Sequence, residues 1–245
     1  MCELCTTNGL SRRHLLGGGM AVAGLAAAGL LGGLATPTAA LAQATRPNDI
    51  PPAEALKRLK DGNARYAANK PRQHDFSAGR AARASAQYPF AAILSCADSR
   101  VAPELAFDQG PGELFVCRVA GNFVNEDGLA SLEYGVQVLG LPLIMVLGHT
   151  NCGAIDATIK VVKDNITLPG HLPGLVNALK PGIEAAIAKQ PKDLLATAIE
   201  ENVRFNVRRL RDASPILSKA VADKKLQVVG GVYEIGTGKV TAIEA

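Results

Sequence analysis

The sequence predicts an α/β fold with a central, mostly parallel β-sheet flanked by helices. Three short apolar runs carry that prediction: residues 90–95 ("FAAILS"), 113–119 ("ELFVCRV") and 141–148 ("LPLIMVLG"). None alternates, and each is bounded by Gly, Pro or polar residues, as strands buried on both faces of a parallel sheet are. Between the second and third lies "NEDGLASLEYGVQVLG", with Leu129, Leu132, Val136 and Leu139 on one helical face, so the unit reads strand–helix–strand with a right-handed crossover. A chain of 245 residues is long enough to bury a substantial core.

The first 44 residues stand apart. They carry Arg12-Arg13 inside "SRRHLL", then an uncharged Gly/Ala/Leu stretch, then small residues at 40–42 and 42–44, where a signal peptidase would cut. The pattern resembles a twin-arginine export signal, an address read by the twin-arginine translocation machinery rather than an anchor. It predicts a signal peptide over 1–44, cleavage near Ala42 or Ala44, and a periplasmic or secreted domain over 45–245. An uncleaved membrane helix competes with this reading, since the stretch is long enough to span a bilayer. Losing Arg12, Arg13 and Glu3 lowers the formal charge of +4 by one. So mild a balance, without a basic stripe interleaved with aromatics, excludes a nucleic-acid binder. Cys96, Cys117 and Cys152 remain, an odd number that argues against a disulfide framework.

Residues 45–52 ("TRPNDIPP") read as a linker into a helix opened by prolines, with Leu56, Leu59 and Tyr66 on one face. A polar loop through "KPRQHDFSAGR" should follow, with His74 solvated. Helices are expected over 153–164, over a Pro/Gly-punctuated 170–190 that opens with His171 in a loop, and over 193–212. The last of these carries Leu195, Ile199, Val203, Val207 and Leu210 on one side. A final strand in "LQVVGGVYEI" turns through Gly236–Lys239 into "VTAI", a hairpin signal.

Chemistry gathers beyond the carboxyl ends of the strands. Cys96 and Asp98 follow the first predicted strand, and His149 and Cys152 follow the third. Two thiolates and an imidazole suit tetrahedral Zn²⁺, with the fourth position open to water or taken by Asp98. An open position would activate water near neutral pH. Arg100 has the planar fork to bind Asp98 bidentately and keep it ionised and off the metal. Asp98 would then orient the attacking water.

"CADSR" followed by "GHTNCGA" resembles the metal motifs of the β-class carbonic anhydrases, and the likeness runs over roughly residues 50–243. The resemblance implies a β-carbonic-anhydrase-like fold, one zinc per subunit on Cys96, His149 and Cys152, and an Asp98–Arg100 dyad. It further implies reversible hydration of CO₂ to bicarbonate, and an obligate homodimer or a homotetramer with each site at a subunit interface. By position, Gln87 matches the substrate glutamine of the plant-like subgroup. Phe115 and Tyr134 match its apolar wall, and the Gly153 amide matches a second substrate contact. Ile93 stands where the allosteric subgroup carries tryptophan, which predicts the non-allosteric type. Arg118 occurs in both subgroups. "RVAGN" replaces the plant-type "RNVAN", and Ala120 stands where valine is common.

Other readings of the same residues stay open at this level. Cys96 and Cys152 pair as a disulfide in an oxidising compartment; Asp98 closes a purely structural zinc site; or the scaffold hydrolyses COS or CS₂. Cys117 reads as a small buried apolar residue.

Overall fold

The computed structural model describes residues 46–244; the expected signal peptide over 1–44 lies outside the described residues. One five-stranded sheet forms the centre, made of β1 (Ala91–Ser95), β2 (Leu114–Arg118), β3 (Leu143–His149), β4 (Gln227–Tyr233) and β5 (Val240–Ile243). Their spatial order is β2-β1-β3-β4-β5. The first four run parallel, and β5 returns antiparallel to β4. Every residue of β1 and β3 is buried, as their unbroken apolar runs predict. β2 departs from that expectation: it is an edge strand, half-buried from Phe115 to Cys117 and exposed at Arg118.

Helices cover both faces. They are α1 (Pro52–Ala67), α2 (Phe76–Ala82), α3 (Pro103–Ala106), α4 (Glu126–Gln137), α5 (Gly153–Asp164), α6 (Leu172–Ala188), α7 (Leu194–Asp212) and α8 (Ile216–Ala222). On one face Ile93, Leu143, Met145 and Leu147 pack with Leu59 of α1 and with Phe107. On the other, Leu94, Ile144 and Val146 meet Leu132 of α4, Val203 and Val207 of α7, and Leu217 of α8. The 3.6-residue stripes of α4 and α7 thus pack on the core, with Leu129, Val136 and Leu195 only half-buried. Among the described residues no helix is long and apolar enough to cross a membrane.

Three helices were not legible as such. The polar segment 70–80 contains the start of α2, because Asp75 caps it: Asp75 Oδ1 accepts from the N–H groups of Ser77 and Ala78, each at 3.0 Å. α3 and α8 are too short to show a periodic pattern. His74 is not a solvated loop residue either. Its Nε2 lies 3.2 Å from Asp108 Oδ1, and its ring stacks on Phe76 at 5.9 Å. His171 is exposed and precedes α6.

This strand order fixes where a site can form. The chain leaves β1 for β2 on one side, then crosses back over β1 to place β3 on the other. Connections therefore diverge at the carboxyl ends of β1 and β3, the crevice in which open α/β sheets receive ligands.

Candidate metal centre

Cys96 follows the last residue of β1, and His149 is the last residue of β3. Ser95 pairs with Leu147 across the two strands, so both ligands emerge at nearly the same level. After His149 the chain turns through Asn151, which takes a left-handed φ of 55°, and Cys152 then caps α5. The ligand atoms of Cys96, His149 and Cys152 all lie within 4.8 Å of one another, and all three residues are buried. All three thiols among the described residues are free, so the two site cysteines form no disulfide.

Local hydrogen bonds prepare the donors. His149 Nδ1 lies 2.9 Å from the Thr150 carbonyl, which places the ring proton there and leaves Nε2 as the lone-pair donor. Nε2 itself is buried with no hydrogen-bond partner, a costly condition that a metal ion would relieve. Gly121 N–H donates to Cys96 Sγ at 3.2 Å. The pKa of the Cys96 thiol is held well below its ordinary value, first by a hydrogen bond from the Cys152 thiol and also by backbone N–H groups including that of Gly121, against burial. Cys152 is pushed up by that same hydrogen bond and by burial. Around a tetrahedral zinc, ligand atoms at about 2.0–2.3 Å from the ion stand roughly 3.5 Å apart. The Cys₂His set fits such an ion.

Asp98 stands beside this set, with both carboxylate oxygens held by Arg100. Its Oδ1 accepts from the backbone N–H and Nε of Arg100, each at 2.9 Å, and its Oδ2 accepts from Nη2 at 2.7 Å. Arg100 Nη2 also donates to the Asn151 carbonyl at 3.3 Å, tying the two ligand-bearing loops together. Arg100 therefore holds the Asp98 carboxyl well below the usual carboxylate range, against the opposing effect of burial. Asp98 Oδ2 remains 3.8 Å from His149 Nε2.

Arg118 was given no role from sequence, and here it holds the ligand loop. Its Nε donates to the Cys96 carbonyl at 3.0 Å and its Nη2 to the Asp98 carbonyl at 2.6 Å. The signal for it was positional, an arginine closing a strand adjacent to the one that leads into Cys96.

The structure brings Cys96, Asp98, Arg100, His149 and Cys152 together, with Gly153 next in chain. A Cβ built on Gly153 meets nothing within 4 Å, so its backbone faces open space. Gln87 lies exposed before the start of β1, at the end of the strand opposite Cys96. Phe115 packs with the core on the α4 side of the sheet, and Tyr134 is 38 % exposed, off the buried stripe of α4. Gln87 and Phe115 thus lie toward the amino ends of β1 and β2, away from the strand ends that carry the cluster. Cys117 is half-buried against the same core, and burial raises its thiol.

Comparison with known proteins agrees with this geometry. The carbonic anhydrase family profile matches residues 91–240, which span β1 to β4 and the whole Cys96–His149–Cys152 cluster. Carbonic anhydrase 2 of Mycobacterium tuberculosis is 40 % identical over 192 residues, covering 77 % of this chain and 91 % of that one. The carbonic anhydrase of Mycolicibacterium smegmatis is 38 % identical over 197 residues, 79 % and 94 % of the two chains. Among solved structures, the Coccomyxa β-carbonic anhydrase in complex with acetazolamide superposes with a TM-score of 0.60 at 31 % identity, over 78 % of this chain and 85 % of that one. With the expected motifs standing at the strand ends where they close a Cys₂His cluster, the chain belongs to the β-class carbonic anhydrase family.

Proposed function

We propose that the chain catalyses the reversible hydration of carbon dioxide to bicarbonate and a proton, with one zinc ion per subunit. One observation carries the reading: three buried donors converge, while the carboxylate beside them is held by a bidentate arginine. Zinc held by Cys96, His149 and Cys152 would supply the Lewis acidity that brings a water's pKa toward about 7. The protein's own contribution is positional. Asp98, ionised by Arg100, offers a fixed acceptor to a water at the site and so orients it. Arg100 also keeps that carboxylate from serving as a fourth ligand, and His149 is held in the tautomer that presents Nε2.

The finer assignments rest on sequence. Ile93, buried inside the sheet, supports a plant-like, non-allosteric enzyme. Gln87, Phe115, Tyr134 and the Gly153 amide are assigned to the substrate pocket. Eight residues separate Gln87 from Cys96, five of them the extended β1 at roughly 3.3 Å each. That spacing supports a homodimer or homotetramer in which Gln87 comes from a second copy. The Arg12-Arg13 pair and the small residues at 40–44 support twin-arginine export and a periplasmic mature domain, which cell fractionation tests.

The deciding experiment is stopped-flow CO₂ hydration by zinc-loaded protein between pH 7 and pH 9. Wild type is expected to turn over at neutral pH. Asp98→Asn is expected to keep its zinc and to lose about 10²–10⁴-fold in rate. Full activity in Asp98→Asn would remove the role given to Asp98. Zinc-loaded wild type that hydrates nothing would overturn the activity, and turnover on COS or CS₂ would then redirect it.

A further inference from the structure

The described side chains contain a second polar system aimed at the metal centre, and it starts on α7. Asn202 and Asn206 are both 0 % exposed, one turn apart on a helix whose neighbouring core positions are Val203 and Val207. Buried amides are costly unless bonded, and these two are bonded in series. Val124 N–H donates to Asn206 Oδ1 at 2.9 Å. Because an N–H needs an acceptor, that contact fixes which way the Asn206 amide faces. Asn206 Nδ2 then donates to Asn202 Oδ1 at 3.1 Å, and Asn202 Nδ2 to the Gly121 carbonyl at 2.8 Å. The series ends on the residue whose N–H donates to Cys96 Sγ.

Gly121 is held from three sides. Its carbonyl is taken by Asn202 and its N–H by the sulfur. Its Cα faces Leu179 of α6 so closely that a Cβ there would stand 2.8 Å from Leu179 Cδ1. Its φ of +83° leaves glycine as the residue of choice. α6 in turn approaches α7 at Asn202 itself, where a Cβ on Gly182 would fall 2.8 Å from the Asn202 Cα. The amide on Cys96 therefore has little freedom to drift.

We propose that Asn202 is a positioning residue for the metal thiolate: by holding the Gly121 carbonyl it fixes the residue whose N–H donates to Cys96 Sγ, and so tunes the donor strength of that ligand. A hydrogen bond to a thiolate withdraws electron density from sulfur. Its loss should raise the energy of the sulfur lone pair and shift sulfur-to-metal charge transfer to longer wavelength. Partners of this kind typically change metal affinity by about 10–100-fold.

The inference rests on the metal reading above, and cobalt-substituted full-length protein separates the two. Asn202→Leu, which keeps the volume and removes the donor, is expected to red-shift the near-ultraviolet thiolate-to-cobalt band. It should also change zinc affinity about 10-fold in competition with a chromogenic chelator. Should that variant fail to fold, Asn202→Ser, too short to reach Gly121, is expected to shift the band in the same direction. Val207→Ala, a cavity in the same helix away from Gly121, controls for stability and is expected to lower the melting temperature without moving the band. An unmoved band and unchanged zinc affinity in the Asn202 variants overturn the assignment, as does an equal shift in Val207→Ala. Wild type that takes up no cobalt overturns the metal reading and this inference with it.

Discussion

Asp98 and Arg100 show how one residue can be defined by what a second keeps it from doing. A carboxylate 3.8 Å from a metal-ligand nitrogen is close enough to become a ligand itself, and the arginine fork occupies both of its oxygens. Arg100→Leu is expected to leave zinc bound and to lower CO₂ hydration at pH 7 by at least about 10-fold. A pH–rate profile superimposable on wild type would show that Asp98 needs no restraint. This pair was legible in sequence because its two members are two residues apart and the motif is local. Arg118 and Asn202 were not, since each acts through backbone carbonyls contributed by other segments.

Asp108 presents the same chemistry in a structural setting. Its side chain is 1 % exposed, with Arg65 Nε at 2.5 Å, the Arg72 N–H at 3.0 Å and His74 at 3.2 Å. Burial opposes its ionisation, yet Arg65, the Arg72 N–H and His74 hold its pKa below the ordinary value. A depressed carboxylate contributes stability that is full above its unfolded pKa of about 3.9 and is lost as pH falls through the lower folded value. Asp108→Asn should therefore destabilise the protein by about 3 kcal/mol at pH 7, and the gap to wild type should narrow below about pH 4. Urea melts at the two pH values check the sign, and a constant gap would contradict it.

Among elements, α7 does most to join sheet and site. Val203 lies against both Gly148 of β3 and Gly230 of β4: a Cβ on Gly148 would stand 2.8 Å from Val203 Cγ2, and one on Gly230 would stand 2.7 Å from Cγ1. The helix can lie this close only because neither strand has a side chain there. Gly230→Ala is expected to cost about 1–3 kcal/mol by overpacking. Combined with Val203→Ala, which makes room, it should cost less than the two single changes together. Strict additivity in a denaturation double-mutant cycle would show that the two positions do not press on each other.

The stripe on α7 and the apolar runs of β1 and β3 were readable because burial on a regular element leaves a period. α2 was hidden in a polar segment whose one cue was the capping Asp75, and β2 read as a doubly buried strand although it stands at the edge. A local run of apolar residues does not encode its neighbours in the sheet. Strand order does, and it is set by non-local pairing.

For the whole molecule, the metal set is complete in one chain and the assigned substrate pocket is not. Gln87 and Cys96 sit at opposite ends of β1, so catalysis as proposed needs association. Specific activity is expected to fall on dilution in step with the loss of dimer in sedimentation experiments, and a fully active monomer would refute a shared pocket. Sequence motifs located the ligands, whereas assembly is a property of surfaces brought together only by folding.

The chain order of the site has a temporal consequence. Its three ligands fall between Cys96 and Cys152, but the helices that cover them, α6 and α7, end only at Asp212. A ribosome adding about 5–20 residues per second needs roughly 3–12 s to pass from the last ligand to the end of that cover. The donors of the site are thus made before the helices that bury them, so the site's burial is a late step of synthesis.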